Sequence, residues 1–235
     1  MEQRDFIART SGLKTRDYIG YGLVDMAGCL IFSLVTTLLQ KYYTDILHLG
    51  PLFIMLMFIG ARVWDAINDP IMGRIADTVR PVRFGRYRPW LLYVAAPLAL
   101  SGVLMFVKLP GMGEEGHRVG TAVYATCTYV LFGMVYTVLH IPYGSLASVV
   151  TTDDGERNKL SVFRSIGSTF GAMPAMVLAS VCYVTVDGVK QMDARRVLIG
   201  VVAIAALSVL FYFLCYGWSR ERGESKPAPK AKGQT

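Results

Sequence analysis

The stretch ARVWDAINDPIMGRIAD, residues 61–77, decides the fold, because it continues the apolar run PLFIMLMFIG of residues 51–60. That run predicts a membrane-spanning helix, yet Arg62, Asp65 and Asp69 follow it within nine residues. A charge at mid-bilayer costs at least about 2.5–3.5 kcal/mol on insertion scales, so such residues face a water-filled cavity or pair with one another. Residues three and four apart are neighbours on a helix, which predicts that these three side chains share one face.

That charged face has two interpretations. In the first it is structural, with an Arg62–Asp65 ion pair and Asp69 extending to the membrane interface. In the second it is a cation site, where both carboxylates and the Asn68 amide bind Na⁺ or Li⁺ through oxygen. The carboxylates could instead share a proton, since two close carboxylates resist double ionisation. We favour the functional interpretation.

Composition places the chain among integral membrane proteins. It has 235 residues, of which 53% are hydrophobic and 17% charged, and its mean hydropathy is +0.42. A helix needs roughly 20 mostly apolar residues to cross a bilayer. The predicted fold is therefore all-α, with six transmembrane helices at 20–44, 51–76, 89–110, 119–149, 165–186 and 197–218. The four cysteines fall within these spans without metal-ligand spacing, so we expect neither a metal site beyond a bound Na⁺ nor a cofactor.

The basic residues predict the orientation. If the N-terminus is cytoplasmic, 17 of the 24 Lys and Arg residues lie in cytoplasmic segments and six lie outside, with Arg62 inside a span. Cytoplasmic loops are enriched in these residues, which predicts an N-in/C-in bundle over 18–218. Residues 1–17 would be a cytoplasmic segment and 219–235 a flexible cytoplasmic tail. Because the charge is divided among short loops, a nucleic-acid partner is not expected.

Further polar residues lie within the other spans. Asp25, in YGLVDMAGCLIFS, could meet Arg62, bind a solute hydroxyl or make a structural hydrogen bond. The fourth span carries GMVYTVLHIPYGSL, residues 133–146, in which Tyr136, Thr137 and His140 offer polar groups. Pro142 is expected to break the helical ladder there and free a carbonyl. Arg164 begins the fifth span and could extend into the same cavity.

The loop GRIADTVRPVRFGRYRPW, residues 73–90, is expected to hold helix ends together on the cytoplasmic side. We refer to this segment as the cytoplasmic latch. Gly73 would permit close approach of a helix, and Asp77 would pair with basic residues. The alternative is that the arginines serve only as topology signals. The basic residues assigned to the latch are Arg83, Arg86 and Arg88.

RVWDAINDPIMG resembles the second-helix signature of the glycoside–pentoside–hexuronide:cation symporters, the melibiose permease family of the major facilitator superfamily. The GRIAD…RFGRYRPW loop, YGLVD, YYTD, GMVYTVLHIPYGSL and ERNKLSVFR also match in order and spacing, over about residues 18–218. The resemblance implies a Na⁺- or proton-coupled symporter of a sugar-like solute that works by alternating access. It implies a cation site at Asp65, Asp69 and Thr137, with Arg62 lining the cavity and Arg164 near the solute.

The sequence departs from that family in two respects. The two acids that bind the sugar in melibiose permease fall on Cys29 and His140, which argues against melibiose. Arg62, Arg164 and His140 favour a uronide or another anionic solute. The chain also offers six of the family's twelve helices, so its cavity face needs a second six-helix bundle, either a C-terminal half or a second copy.

Other functions are possible for such a chain. It could be a non-transporting membrane subunit or fragment, or a symporter of a non-sugar anionic or lipid-like solute. An intramembrane enzyme is disfavoured, since carboxylates four residues apart on one helix do not flank a scissile bond. In every case the expected location is a bacterial inner membrane, with lipid as a partner.

Overall fold

The computed structural model describes residues 15–78, 88–150, 154–186 and 189–218, and within them the chain is mostly helical. The elements, in chain order, are α1 (Thr15–Leu34), a π-helical segment (Val35–Leu39), α2 (Gln40–Asp45), α3 (Pro51–Thr78), α4 (Arg88–Leu104), a 3₁₀ turn (Glu115–His117), α5 (Arg118–Val150), α6 (Asp154–Val181), β1 (Tyr183–Val186), β2 (Val189–Met192) and α7 (Ala194–Trp218). Most of the predicted N-terminal segment and the whole predicted tail lie outside the described residues.

Within the described ranges, five helical segments are long and apolar enough to cross a membrane. They correspond to the first, second, fourth, fifth and sixth predicted spans, and they are Asp17–Asp45, Pro51–Ile75, Arg118–Ile141, Gly155–Val181 and Ala194–Cys215. The third predicted span, 89–110, ends earlier than expected, because α4 ends at Leu104. The N-in/C-in orientation stays a prediction.

The third span ends early because tyrosine side chains bind the carbonyls at its end. The Tyr124 hydroxyl donates to the Leu104 carbonyl at 2.7 Å, and the Tyr42 hydroxyl donates to the Phe106 carbonyl at 2.8 Å. The last carbonyls of a helix lack partners within it, so such bonds stabilise a helix end. Phe106 and Met105 are therefore buried in a turn, although their apolar character predicted more helix.

A two-stranded antiparallel hairpin corrects the all-α prediction. β1 pairs with β2, with Tyr183 opposite Met192 and Val186 opposite Val189. The fifth span was predicted to reach residue 186, but α6 ends at Val181 and the β-branched run that follows is a strand. Lys41 Nζ lies 5.0 Å from the Tyr183 ring centroid, so the hairpin covers the end of the first span.

Helix α1 is the central element of the bundle. It packs closely on α6, where a Cβ on Gly167 would collide with the Gly22 carbonyl and one on Gly171 would lie 2.6 Å from the Met26 carbonyl. Small residues allow this approach of two backbones in a membrane. On its other side α1 packs on α7, where the Ser208 hydroxyl donates to the Ala27 carbonyl at 2.6 Å.

Beyond α7, the row of packed helices continues through α4 and α5 to α3. Helix α4 packs between α7 and α5, and α3 packs on α5. Helices α3 and α6 therefore lie at opposite ends of this row. Helix α3 makes few contacts with α1, and α6 makes few contacts with α5. This arrangement leaves a polar cavity between α3, α5 and the π-helical segment.

Candidate functional site

A cavity of about 270 Å³ lies between the π-helical segment, α3 and α5. It brings together six of the residues predicted for the site, which are Arg62, Asp65, Asp69, Tyr136, Thr137 and His140. Three of them come from α3 and three from α5. Two helices from separate parts of the sequence therefore supply the polar wall.

The carboxylates of α3 have different partners in this cavity. The Thr137 hydroxyl donates to Asp69 Oδ1 at 3.0 Å, across the α3–α5 interface. Arg62 Nη1 lies 3.7 Å from Asp65 Oδ2, in an ion pair whose side chains are 70% and 28% exposed. The predicted Arg62–Asp65 pair thus forms, while Asp69 accepts a hydrogen bond from Thr137 in the cavity.

Gly133 of α5 lies against Asp65. A Cβ at Gly133 would be 3.3 Å from Asp65 Oδ1, which is closer than ordinary van der Waals contact. The absence of a side chain at this position therefore lets the carboxylate approach α5. Sequence analysis did not single out Gly133.

Asn68 differs from the other predicted cation ligands. Its side chain is buried at 6% exposure and is not among the residues that line the cavity. Its Nδ2 has no hydrogen-bond partner among the described residues. Of the four predicted cation ligands, Asp65, Asp69 and Thr137 therefore line the cavity and Asn68 does not.

A second charged group lies deeper in the bundle. Arg164 Nε is 3.2 Å from Asp25 Oδ1, and the Cys29 thiol lies 3.9 Å from Asp25 Oδ2. The Asp25 side chain is 6% exposed and that of Arg164 is 41% exposed. Of the alternatives predicted for Asp25, contact with Arg62 is wrong, because the Asp25 carboxylate is paired with Arg164.

Aromatic side chains connect the two groups. The Tyr136 ring lies 4.1 Å from the His140 ring, and His140 lies 6.1 Å from Tyr143. The Arg164 guanidinium in turn lies 5.3 Å from the Tyr143 ring centroid, a favourable cation–π distance. Helix α5 continues through Pro142 to Val150, so the predicted loss of a backbone hydrogen bond at this proline does not end the helix.

The cytoplasmic latch is only partly described. A Cβ on Gly73 would meet no described atom within 4 Å, and the expected close helix approach at this glycine stays a prediction. The helix α3 includes Asp77 and α4 begins at Arg88, but their side chains are outside the described part. Arg83 and Arg86 lie outside the described residues altogether.

The polar and aromatic residues of the cavity that were missed from sequence include Thr36, Trp64 and Tyr129. Thr36 lies in the π-helical segment, and its hydroxyl lies 3.2 Å from the Ser33 carbonyl. Single π-helical turns occur often at functional sites. Two successive threonines within the apolar run LVTTLL were the available signal.

A bundle of long apolar helices that gathers charged side chains around an interior cavity defines the class of membrane transport proteins. Residues 20–235 match the family described as MFS/sugar transport protein, and the chain belongs to that family. This confirms the resemblance drawn from the motifs. Members of this family are transporters and not enzymes.

Three relatives illustrate the similarity. The chain is 34% identical over 215 residues to the inner membrane symporter YicJ of Escherichia coli strain K12, covering 92% of this chain and 45% of that protein. It is 32% identical to the glucuronide carrier protein homolog of the same strain, with 89% and 44% covered. It is 29% identical to the isoprimeverose transporter of Lactiplantibacillus pentosus, with 90% and 43% covered.

The chain spans about half the length of these relatives. Their names describe symport and sugar transport at a membrane, and the apolar helices of this chain agree with that location. The protein is thus a multi-pass integral membrane protein of the bacterial inner membrane.

Proposed function

We propose that the chain forms the N-terminal six-helix half of a cation-coupled symporter for a sugar, glycoside or uronide-like solute. The observation that carries the proposal is the cavity in which Asp65 and Asp69 of α3 meet Thr137 of α5. Carboxylate and hydroxyl oxygens are the ligands that hard cations prefer. Asn68 would join this set only after its amide turned toward the cavity.

The coupling ion is Na⁺ or H⁺. Asp65 is 28% exposed and has one distant cationic partner, and Asp69 has the Thr137 hydroxyl. Two carboxylates with so few partners can bind a metal cation between them or share a proton. The solute region includes Tyr136 and His140, with Arg62, Arg164, Asp25 and Cys29 around it. Its basic residues favour an anionic solute, and one relative is named for a glucuronide.

A second six-helix bundle opposite the cavity is part of the proposal. The Arg62 side chain is 70% exposed and Asp69 is exposed at the open face. Charged groups facing lipid are costly, so another bundle is expected to cover this face. The chain's match to about half of each relative supports the same arrangement. The cytoplasmic latch, with Asp77, Arg83, Arg86 and Arg88, would act as a gate on the inner side.

Trp64 lines the cavity and offers a direct test of cation binding. A variant with Trp90→Phe and Trp218→Phe keeps Trp64 as its single tryptophan, since the chain has three. In lipid nanodiscs, NaCl, LiCl or a fall in pH should change the Trp64 fluorescence, while choline chloride controls for ionic strength. Asp65→Asn and Asp69→Asn should abolish the response, and Asp45→Asn, at the exposed end of α2, should retain it.

Transport is tested separately. The chain is co-reconstituted in proteoliposomes with the C-terminal half of the glucuronide carrier homolog, and uptake of a glucuronide and of a neutral glycoside is measured under a Na⁺ or proton gradient. Gradient-driven uptake of either solute that needs both halves is the expected result. Cation binding without any uptake would contradict the symport proposal while leaving the cation site in place. An unresponsive Trp64 would contradict the cation site.

A further inference from the structure

Besides Asn68 Nδ2, two buried polar atoms in the described part of the bundle lack hydrogen-bond partners. His140 Nε2 of α5 and the Tyr212 hydroxyl of α7 have no hydrogen-bond partner among the described residues. Tyr212 is 1% exposed, and it follows Ser208 by one helical turn on the face of α7 that packs on α1. A buried polar group without a hydrogen bond costs about 1–3 kcal/mol. We therefore expect a ligand that makes hydrogen bonds to both of these neighbouring groups.

Both atoms converge on Gly28 of α1. A Cβ built on Gly28 would lie 3.1 Å from His140 Nε2 and 3.1 Å from the Tyr212 hydroxyl oxygen. The two atoms are therefore separated by no more than twice that distance, yet they do not bond to each other. One water with hydrogen bonds of about 2.8 Å on each side spans such a gap. Glycine at this position is what allows both side chains to approach α1.

We propose that one buried water bridges His140 Nε2 to the Tyr212 hydroxyl beside Gly28. Water and a tyrosine hydroxyl each donate and accept, and an imidazole nitrogen does one or the other, so the three groups satisfy one another in either histidine tautomer. Buried waters occur where polar groups would otherwise be unpaired. Tyr212 was not singled out in the sequence.

The bridge gives His140 a fixed orientation. With Nε2 bound beside Gly28 of α1, the ring packs on Tyr136 with the two ring centroids 4.1 Å apart. His140 also lines the cavity, so a fixed ring orientation fixes what the histidine presents to a solute there. Tyr212 is thus a positioning residue that acts on the cavity through His140 and the water. This inference does not depend on the proposed transport activity.

The test is solid-state NMR of the full chain, labelled with ¹⁵N-histidine, in lipid nanodiscs. The chain has three histidines, and the His140 signals are assigned by their loss in His140→Gln. Magnetisation transfer from water to His140 Nε2 is the measurement, and the native chain should show it. Tyr212→Phe and Gly28→Ala should reduce the transfer several-fold and move the Nε2 resonance. Tyr124→Phe, whose hydroxyl donates to Leu104, and Gly120→Ala, which has open space, should not.

Three results would overturn the proposal. The first is a native chain without water transfer to His140 Nε2. The second is a direct Nε2–Tyr212 hydrogen bond, detected as a short distance from Nε2 to ¹³C-labelled Tyr212 Cζ. The third is transfer that survives both substitutions. The first two are measured on the native chain, so they decide the matter even if a variant does not fold.

Discussion

The two charged groups of the bundle are held in different ways. The deeper group has an Arg164–Asp25 contact of 3.2 Å, an Asp25 side chain that is 6% exposed and a guanidinium that also packs on Tyr143. In the cavity, Arg62 and Asp65 are 3.7 Å apart with side chains 70% and 28% exposed. Asp69 there has a neutral hydroxyl as its partner. Both groups occupy the membrane-spanning part of the chain.

This difference separates a structural role from a binding role. A buried pair leaves an uncompensated charge when one partner is removed, so the deeper group stabilises the bundle around α1. An exposed ion pair contributes about 0–1 kcal/mol, so the cavity group adds little to folding. Carboxylates with few partners are the ones available to a cation. We therefore infer that the Arg164–Asp25 contact between α1 and α6 contributes more to stability than the Arg62–Asp65 pair, and that the carboxylates of α3 are the ones available to a cation.

The largest expected effect is on the deeper group. Arg164→Ala should lower the free energy of unfolding by about 2 kcal/mol, which is below the usual figure for a buried pair because Arg164 is 41% exposed. Arg62→Ala is the matched control and should change it by less than about 1 kcal/mol. Denaturant unfolding in detergent, followed by circular dichroism, measures both. If the two substitutions lowered the free energy of unfolding equally, the two charged groups would not differ in their contribution to stability.

The second prediction concerns the hydroxyl that binds Asp69. Thr137→Val keeps the shape of the side chain and removes the donor, so Na⁺ affinity should fall roughly tenfold, the equivalent of about 1.4 kcal/mol. Stability should change little. Titration of Trp64 fluorescence gives the affinity, and Thr137→Ser should restore most of it.

Thr126→Val is the control for this substitution. Thr126 lies on the same helix, but its hydroxyl donates to the Ala122 carbonyl of its own helix at 2.8 Å. Its replacement should leave cation affinity unchanged. If Thr137→Val and Thr126→Val behave alike, the Asp69 contact has no part in cation binding.

The sequence predicted the helices well because apolar runs of membrane length leave few alternatives. It also predicted that Arg62, Asp65 and Asp69 share a face, since that follows from helical spacing alone. What it did not predict depends on contacts between distant segments. The end of α4 depends on the hydroxyls of Tyr42 and Tyr124, and the partner of Asp25 depends on glycine packing of α1 on α6. Neither leaves a periodic signal.

Dependence on contacts between distant segments also explains which residues of the candidate site were predicted and which were missed. Polar residues inside apolar spans were easily found, and their motifs resembled a known family. Asn68 was expected among the cation ligands because it adjoins Asp69 in sequence, but adjacent helical residues point about 100° apart, and Asn68 is buried away from the cavity. Gly133 and Tyr212 were missed because their roles depend on which side chain faces them from another helix.

The smallest expected effect is at Gly133, and it tests how closely the cavity is fitted around Asp65. Gly133→Ala places a methyl group 3.3 Å from Asp65 Oδ1, so the carboxylate must shift by a few tenths of an ångström and cation affinity should change roughly two- to threefold. Gly144→Ala, on the same helix with no described atom within 4 Å, is the control and should leave affinity unchanged. Both substitutions should raise helix stability by up to about 1 kcal/mol, because alanine replaces glycine in a helix. A difference between them in Trp64 titrations therefore reports the contact with Asp65 and not helix propensity. Identical affinities would mean that Asp65 adjusts freely, as a carboxylate at an open surface would.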